Sequence, residues 1–317
     1  MSLRKKPTTP PNPEAFELGF GTKFIGGKSK IIKADGQFNI LRKGVEKETF
    51  YEHMIRLPWP LFIIELLAIF IIVNAFYATI FCFMGPSAMY GIDEGTLIQK
   101  FQASFFFSVH TFTTVGYGNV YPIGFWANLV VILDAFSGLL MVAVATGLLF
   151  LRFSKAKVKI KFSKNMLLTP HKNLNSLQFR IVNASNTTLM NVEASITATW
   201  LDQNGMDYKR RFQRLNLDLS HLYLLPLNWT VVHLINEESP LYEKSADLLA
   251  KNMMEFIVMI KAFDPQYNQH IFKNYSYDYS SIKEGAKFKL MYHSTDEMTI
   301  LDIHELDSYT DLQMELP

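Results

Sequence analysis

Cysteine is almost missing from this chain: Cys82 is the only one in 317 residues, which excludes an internal disulfide and any cage of cysteines around a metal. The eight histidines are scattered. With no nucleophile–base spacing, metal-ligand cluster or phosphate-cradling glycine loop, no enzyme chemistry is expected. No apolar run carries arginine at helical spacing, which excludes a voltage sensor. No G-x-G-x-x-G appears and strands do not alternate with helices, which excludes a nucleotide-binding regulatory domain. Net charge is only +2, so no global field argues for nucleic acid or an acidic partner. The start, MSLRKKPTTPPNP, is basic and proline-rich with no apolar core behind it, and so does not read as a cleavable signal. Residues 1–33 are expected as a disordered basic tail.

Apolar residues, by contrast, are abundant and unevenly placed. They make up 49% of the chain, with 26 phenylalanines, and concentrate in its first half. Trp59 to Gly85 is interrupted only by Glu65 and Asn74, and Phe125 to Phe153 has Asp134 as its lone acid. A helix needs about 20 apolar residues to cross a bilayer. An outer helix over 58–84 and an inner helix over 123–153 are therefore expected. Between them Gly95 to Phe112 is apolar on most faces but too short to cross, so it reads as a re-entrant half-helix. Lys43, Lys47 and Arg56 precede the first span, and Arg152, Lys155, Lys157, Lys159, Lys161 and Lys164 end or follow the second. The positive-inside rule puts both termini in the cytoplasm and the loop bearing Asp93 and Glu94 outside. Ahead of the first span, Phe50, Met54, Ile55 and Leu57 form the apolar side of an interfacial helix stopped by Pro58, within a lead-in spanning 34–57.

From Ser176 onward the pattern changes to short alternating runs divided by turn signals, the signature of a β-sandwich over residues 154–317. DQNG (Asp202 to Gly205) marks a hairpin, and a helix is expected near Leu241 to Asn252, opened by Ser239 and Pro240.

The half-helix leads into TTVGYGN, Thr113 to Asn119, and TVGYG matches the potassium-channel filter sequence. The chemistry agrees with the match. A dehydrated K⁺ needs oxygen ligands, and carbonyls aligned on one side require alternating backbone handedness, which Gly116 and Gly118 permit. Val115 and Tyr117 would turn away from the axis, and four copies would stack carbonyl rings from Thr114, Val115, Gly116 and Tyr117, with the Thr114 hydroxyl innermost. One chain cannot surround an ion, so a homotetramer is implied. K⁺ ions are expected in the filter, 97–118 with its half-helix, and no organic cofactor.

Two spans around TVGYG, together with VEASITATW (Val192 to Trp200), the H-x-I-x-E-x-SPLY pattern of WTVVHLINEESPLYEKS and the lead-in ADGQFNILRKGVEKE, resemble the inward-rectifier potassium channel family, in particular its bacterial members. The resemblance implies passive K⁺ conduction across the bacterial inner membrane, two transmembrane helices with a pore helix, and a cytoplasmic immunoglobulin-like sandwich. It makes Phe150 the ring that seals the inner mouth, with a lipid-facing role as the alternative. Gly138 and Gly147 are candidate hinges, or small residues for close packing. The family's blocker-holding acid aligns with the apolar Val142, so strong block by Mg²⁺ or polyamines there is not expected. Asp134 is a candidate for pore electrostatics or for bonding behind the filter. Glu193 falls on the family's pore-lining acid. Arg152, Lys155 and Lys157 with Arg42 and Lys43 form a candidate anionic-lipid site, although topology alone also demands these charges. Tyr275 to Phe288 departs from the family's S-Y-x-x-x-E-I-x-W-G loop and lacks its tryptophan. The competing reading is a membrane-anchored β-sandwich that binds a ligand or partner without ion flux.

Overall fold

The computed structural model describes residues 31–33, 36–92, 95–157, 159–204, 207–244, 249 and 252–312. The chain divides into two compact units, Gly44–Lys155 and the combination of Met1–Lys43 with Ala156–Pro317. Asp93, Glu94 and Gly205 lie outside the described residues. Of the expected helix over Leu241 to Asn252, Leu241, Tyr242 and Glu243 form a turn, and residues 245–248, 250 and 251 are outside the description.

The Gly44–Lys155 unit is helical. Helix α1 (Phe50–Arg56) opens with a capping box in which Thr49 accepts from the Glu52 amide and the Glu52 carboxylate accepts from the Thr49 amide. It stops two residues before Pro58, because the residue preceding proline is pushed out of the helical region. Helix α2 (Trp59–Met84) starts directly after that proline and ends at Gly85, φ +69°. Helix α3 (Leu97–Phe112) has its own capping box, Thr96 with Gln99. Helix α4 (Gly124–Phe153) completes the unit, and the two-residue strands β1 (Met89–Tyr90) and β2 (Tyr121–Pro122) pair between the helices. Both long helices pass the length and hydropathy test for a membrane span. Along α4 the buried positions Ala127, Asp134, Gly138 and Leu148 fall on one helical face. Phe136, Leu139, Val142 and Phe150 remain exposed in the single chain. An apolar surface this continuous needs lipid or further copies of the chain to cover it.

The second unit is a sandwich of two five-stranded sheets. Its strands are β3 (Ile160–Phe162), β4 (Met166–His171), β5 (Leu174–Asn183), β6 (Leu189–Asn204), β7 (Asp207–Leu215), β8 (His221–Leu225), β9 (Asn228–Ile235), β10 (Glu255–Asp264), β11 (Gln269–Asp278) and β12 (Ile282–Glu284). One sheet runs β11-β10-β6-β7, with β8 also on β6; the other runs β12-β4-β5-β3, with β9 on β5. Strand β6 is 16 residues long, so its first part pairs with β8 and its second with β7 through the hairpin that DQNG marks. Two short strand pairs follow: β13 (Ala286–Phe288) with β16 (Tyr309–Asp311), and β14 (Tyr292–Ser294) with β15 (Thr299–Leu301). Phe179, Ile181, Val192, Ile196, Val231, Phe256, Val258 and Ile260 fill the space between the two sheets.

Residues 1–30 of the expected tail lie outside the described residues, and its last three, Ile31 to Lys33, lie within them. Ile31 and Ile32 are buried against Ile257 and Phe212. The Ile31 amide donates to both Glu255 carboxylate oxygens, at 2.9 and 3.1 Å, and the Ser276 hydroxyl donates to the Ile32 carbonyl. Glu255 faces Arg210 at 4.0 Å, both of them buried. Desolvation pushes Glu255 up and Arg210 down from their ordinary ranges, and each partner opposes the other's shift. Two isoleucines at the end of a polar, proline-rich stretch gave no periodic signal that they dock on a sheet formed more than two hundred residues later.

Candidate functional site

The TVGYG segment follows α3 without a break. The amide of Thr114 donates to the Thr111 carbonyl at 3.0 Å, and those of Val115 and Gly116 both donate to the His110 carbonyl, at 2.8 and 3.2 Å. These bonds satisfy the helix's last carbonyls, which would otherwise lack partners. They also fix direction. With amides tied back to the helix, the carbonyls of the same trans peptides face the other way. Positive φ recurs at every second residue: Thr114 +61°, Gly116 +56° and Gly118 +80°. The alternation required for aligned carbonyls is therefore present, and it begins one step earlier than the glycines indicate. Thr114 is β-branched, so holding it left-handed costs about 1–3 kcal/mol. Nothing in the sequence flags that residue as strained. Val115 and Tyr117 are exposed in the single chain, and the Tyr117 ring meets His110 edge-on, centroids 4.8 Å apart. Beside them lies a cavity of about 180 Å³ between the filter and α3, lined by Ala103, Phe106 and Phe107 among others.

Two of the candidate residues on α4 are buried in the single chain. A Cβ added at Gly138 would stand 2.1 Å from the Phe112 carbonyl oxygen and 2.8 Å from its carbon. Gly138 is thus a close-approach position where α4 passes the end of α3. Gly147 has nothing within 4 Å of such a Cβ and keeps the freedom a hinge needs. Asp134, a candidate for pore electrostatics or for bonding behind the filter, has no accessible surface even in one protomer. It sits in a polar seam joining three helices. The Ser108 hydroxyl, within electrostatic reach of Asp134, donates to Asn74 Oδ1 at 3.0 Å, and the Asn74 amide donates to the Phe70 carbonyl. Neither Asp134 oxygen has a hydrogen-bond partner among the described residues.

At the other end of α4, Arg152 departs from its expected role. Its guanidinium donates to the carbonyls of Met54 (2.6 Å), Ile55 (3.1 Å) and Leu57 (2.7 Å), and lies over the rings of Trp59 and Phe62 at 4.7 and 4.3 Å. A cation that caps the C-terminal carbonyls of α1 and stacks on two aromatic faces is not a free lipid ligand. It binds the interfacial helix to the end of the inner helix. Glu65 also has a partner: His53 of α1 lies 3.1 Å away. Val142 and Phe150 are 63% and 68% exposed in the single chain. Lys155, Lys157, Arg42 and Lys43 are exposed, but the candidate lipid cations are divided between the two units, Lys155 with Arg152 in one and the other three in the second.

Within the sandwich, Glu193 sits on β6 opposite Lys261 of β10, with Nζ 3.3 Å from Oε1. The SPLY pattern has a structural explanation. His233 is buried with both ring nitrogens engaged, one with the Asn216 carbonyl at 2.7 Å and the other with the Ser239 hydroxyl at 2.8 Å; that hydroxyl oxygen in turn accepts from the Leu241 amide. Burial lowers the His233 pKa, so the neutral ring holds the loop. In the divergent segment, Asp278 caps a turn at Tyr279–Ser281 that leads into β12, a parallel partner of β4.

Comparison with known proteins places these features in a wider group. Residues 63–155 match the family model "Ion channel", and residues 160–316 match "Inward rectifier potassium channel C-terminal domain". The chain is 30% identical over 274 residues to inward rectifier potassium channel Kirbac3.1 of Paramagnetospirillum magnetotacticum, covering 84% of this chain and 91% of that protein. It is 29% identical to G protein-activated inward rectifier potassium channel 4 of Bos taurus, over 52% of this chain and 42% of that one. With channel 2 of that type from Homo sapiens it shares 24% identity over 82% of this chain and 67% of the relative.

Proposed function

Since the chain belongs to the inward rectifier potassium channel family, we propose that four copies conduct K⁺ passively through stacked carbonyl rings from Thr114, Val115, Gly116 and Tyr117, with the Thr114 hydroxyl innermost. The observation that carries this reading is the alternating positive φ at Thr114, Gly116 and Gly118, with the Val115 and Gly116 amides tied back to the His110 carbonyl. That geometry gives a row of carbonyl oxygens, and a dehydrated cation is the partner such a row fits. A membrane anchor has no use for it. Four converging α4 helices bring Phe150 to the inner mouth as the aromatic constriction, and Gly147 supplies the bend that opens it. Val142, apolar at the position of the family's blocker-holding acid, leaves rectification weak. The chain lies in the bacterial inner membrane with both termini cytoplasmic, and Lys155, Lys157, Arg42 and Lys43 face anionic headgroups. Glu193 of each copy lines the cytoplasmic path.

The test is rubidium uptake into liposomes holding the purified protein, with sodium and barium as controls. Barium-sensitive, sodium-excluding uptake is expected, and Gly116→Ala abolishes it or its selectivity, because an L-residue resists φ near +56°. Absent or barium-insensitive uptake by the unmodified protein sinks the proposal.

A further inference from the structure

The acid that lines the cytoplasmic path in the proposed channel is not alone. Antiparallel register places Lys261 of β10 on one side of Glu193 and His221 of β8 on the other. Residues opposed in this way project from the same face of a sheet. Lys261 reaches across to 3.3 Å from the carboxylate, and both side chains stay partly open to solvent, at 39% and 51%. Such a pair adds little stability. Its effect on the surrounding field is larger. A lone carboxylate acts as a monopole whose attraction for a cation extends to the screening length, about 8 Å at physiological salt. A carboxylate with an ammonium 3.3 Å away acts as a short dipole, and its attraction dies within a few ångströms. Fourfold repetition multiplies whichever field the single chain presents. The difference matters most for polyvalent cations, because their attraction to the ring scales with their own charge.

We propose that Lys261 is a specificity-determining residue that neutralises the Glu193 ring, so that polyvalent organic cations and Mg²⁺ pass the cytoplasmic mouth without being held there. The inference rests on the reading that Glu193 lines the ion path. It adds a positional reason for weak rectification, separate from the apolar Val142. It also explains how the chain keeps an acid at this position without acquiring a blocker site.

The experiment measures spermine block from the cytoplasmic side of purified channels in planar bilayers. Lys261→Gln is expected to lower the half-blocking spermine concentration by about tenfold, the scale of four unmasked carboxylates in a water-filled mouth. The double variant Lys261→Gln with Glu193→Gln is expected to return to the unmodified value. An unchanged concentration in Lys261→Gln overturns the inference, and so does an equal gain in the double variant, since the gain then does not run through Glu193. Glu193→Cys, treated with a positively charged thiol reagent, separates this from the underlying reading: current falls on reaction if the position lines the path. A response in Glu193→Cys with no change in Lys261→Gln overturns the neutralisation alone; silence in both overturns the neutralisation and the pore-lining assignment together. Lys261 is a partly exposed strand residue, so rubidium uptake by Lys261→Gln confirms that the channel itself is intact.

Discussion

Gly138→Ala is the sharpest perturbation available, because the obstacle it meets is backbone. The added methyl would stand 2.1 Å from the Phe112 carbonyl oxygen, 2.8 Å from its carbon and 3.0 Å from its Cα. Ordinary contact between such atoms begins near 3.5 Å, so α3 and α4 must separate by more than about 1 Å. No side chain can rotate aside to absorb the change. Overpacking of this kind costs about 1–3 kcal/mol per site, more than the roughly 1 kcal/mol that alanine returns in helix propensity. The displaced residue is the last of α3, and His110, two positions earlier, anchors the Val115 and Gly116 amides. A shift there is transmitted to the alternating backbone directly. The expected result is a tetramer that dissociates at lower temperature in detergent and takes up rubidium with weaker rejection of sodium. Gly147→Ala serves as control, since nothing lies within 4 Å of its Cβ, and it should assemble normally. If Gly138→Ala assembled, melted and selected like the unmodified chain, the claim that Gly138 holds the half-helix in place would be wrong.

Two further outcomes follow from the structure. Arg152→Gln removes charge-assisted bonds to three carbonyls of the α1 end, each contributing about 1.5–3 kcal/mol. Amide exchange in α1 should then accelerate at least tenfold while α2 is unchanged, and equal protection in both proteins would refute the cap. Burial lowers the His233 pKa in the fold, whereas the unfolded chain titrates near pH 6.5. The unfolded state therefore takes up its proton first, and the sandwich loses stability as pH falls below about 6.5, the loss levelling off below the folded value. Thermal melting between about pH 8 and pH 5 should show this slope, and His233→Gln should flatten it.

Local chemistry made much of this molecule legible before any coordinates. The two long apolar runs are α2 and α4, the short one is α3, and alternation with turn residues gives the strands, because each signal depends only on neighbouring residues and their period. Side-chain direction was not legible. The sequence left Asp134 open between pore electrostatics and bonding behind the filter, because which face of α4 is enclosed depends on α2 and α3, whose packing no local pattern records. Arg152 was indistinguishable from its basic neighbours, although it alone reaches the α1 carbonyls. Lys261 is separated from Glu193 by 68 positions, and only the strand register brings them together. Thr114 illustrates a different limit: a threonine held left-handed is made by hydrogen bonds to the preceding helix, against its own preference.

The docked segment at Ile31 and Ile32 carries a consequence for how the chain is made. Its anchor, Glu255, lies 224 positions downstream, and at ribosomal speeds of about 5–20 residues per second the two are separated by roughly 10–45 s of synthesis. Both apolar spans emerge in that interval and are committed to lipid before the anchor exists. The earliest described residues must wait undocked through that time, and they join the fold only after the strands that receive them are finished. A chain cut short before Glu255 would leave two isoleucines with no place to go, so their exposure would report an incomplete protein.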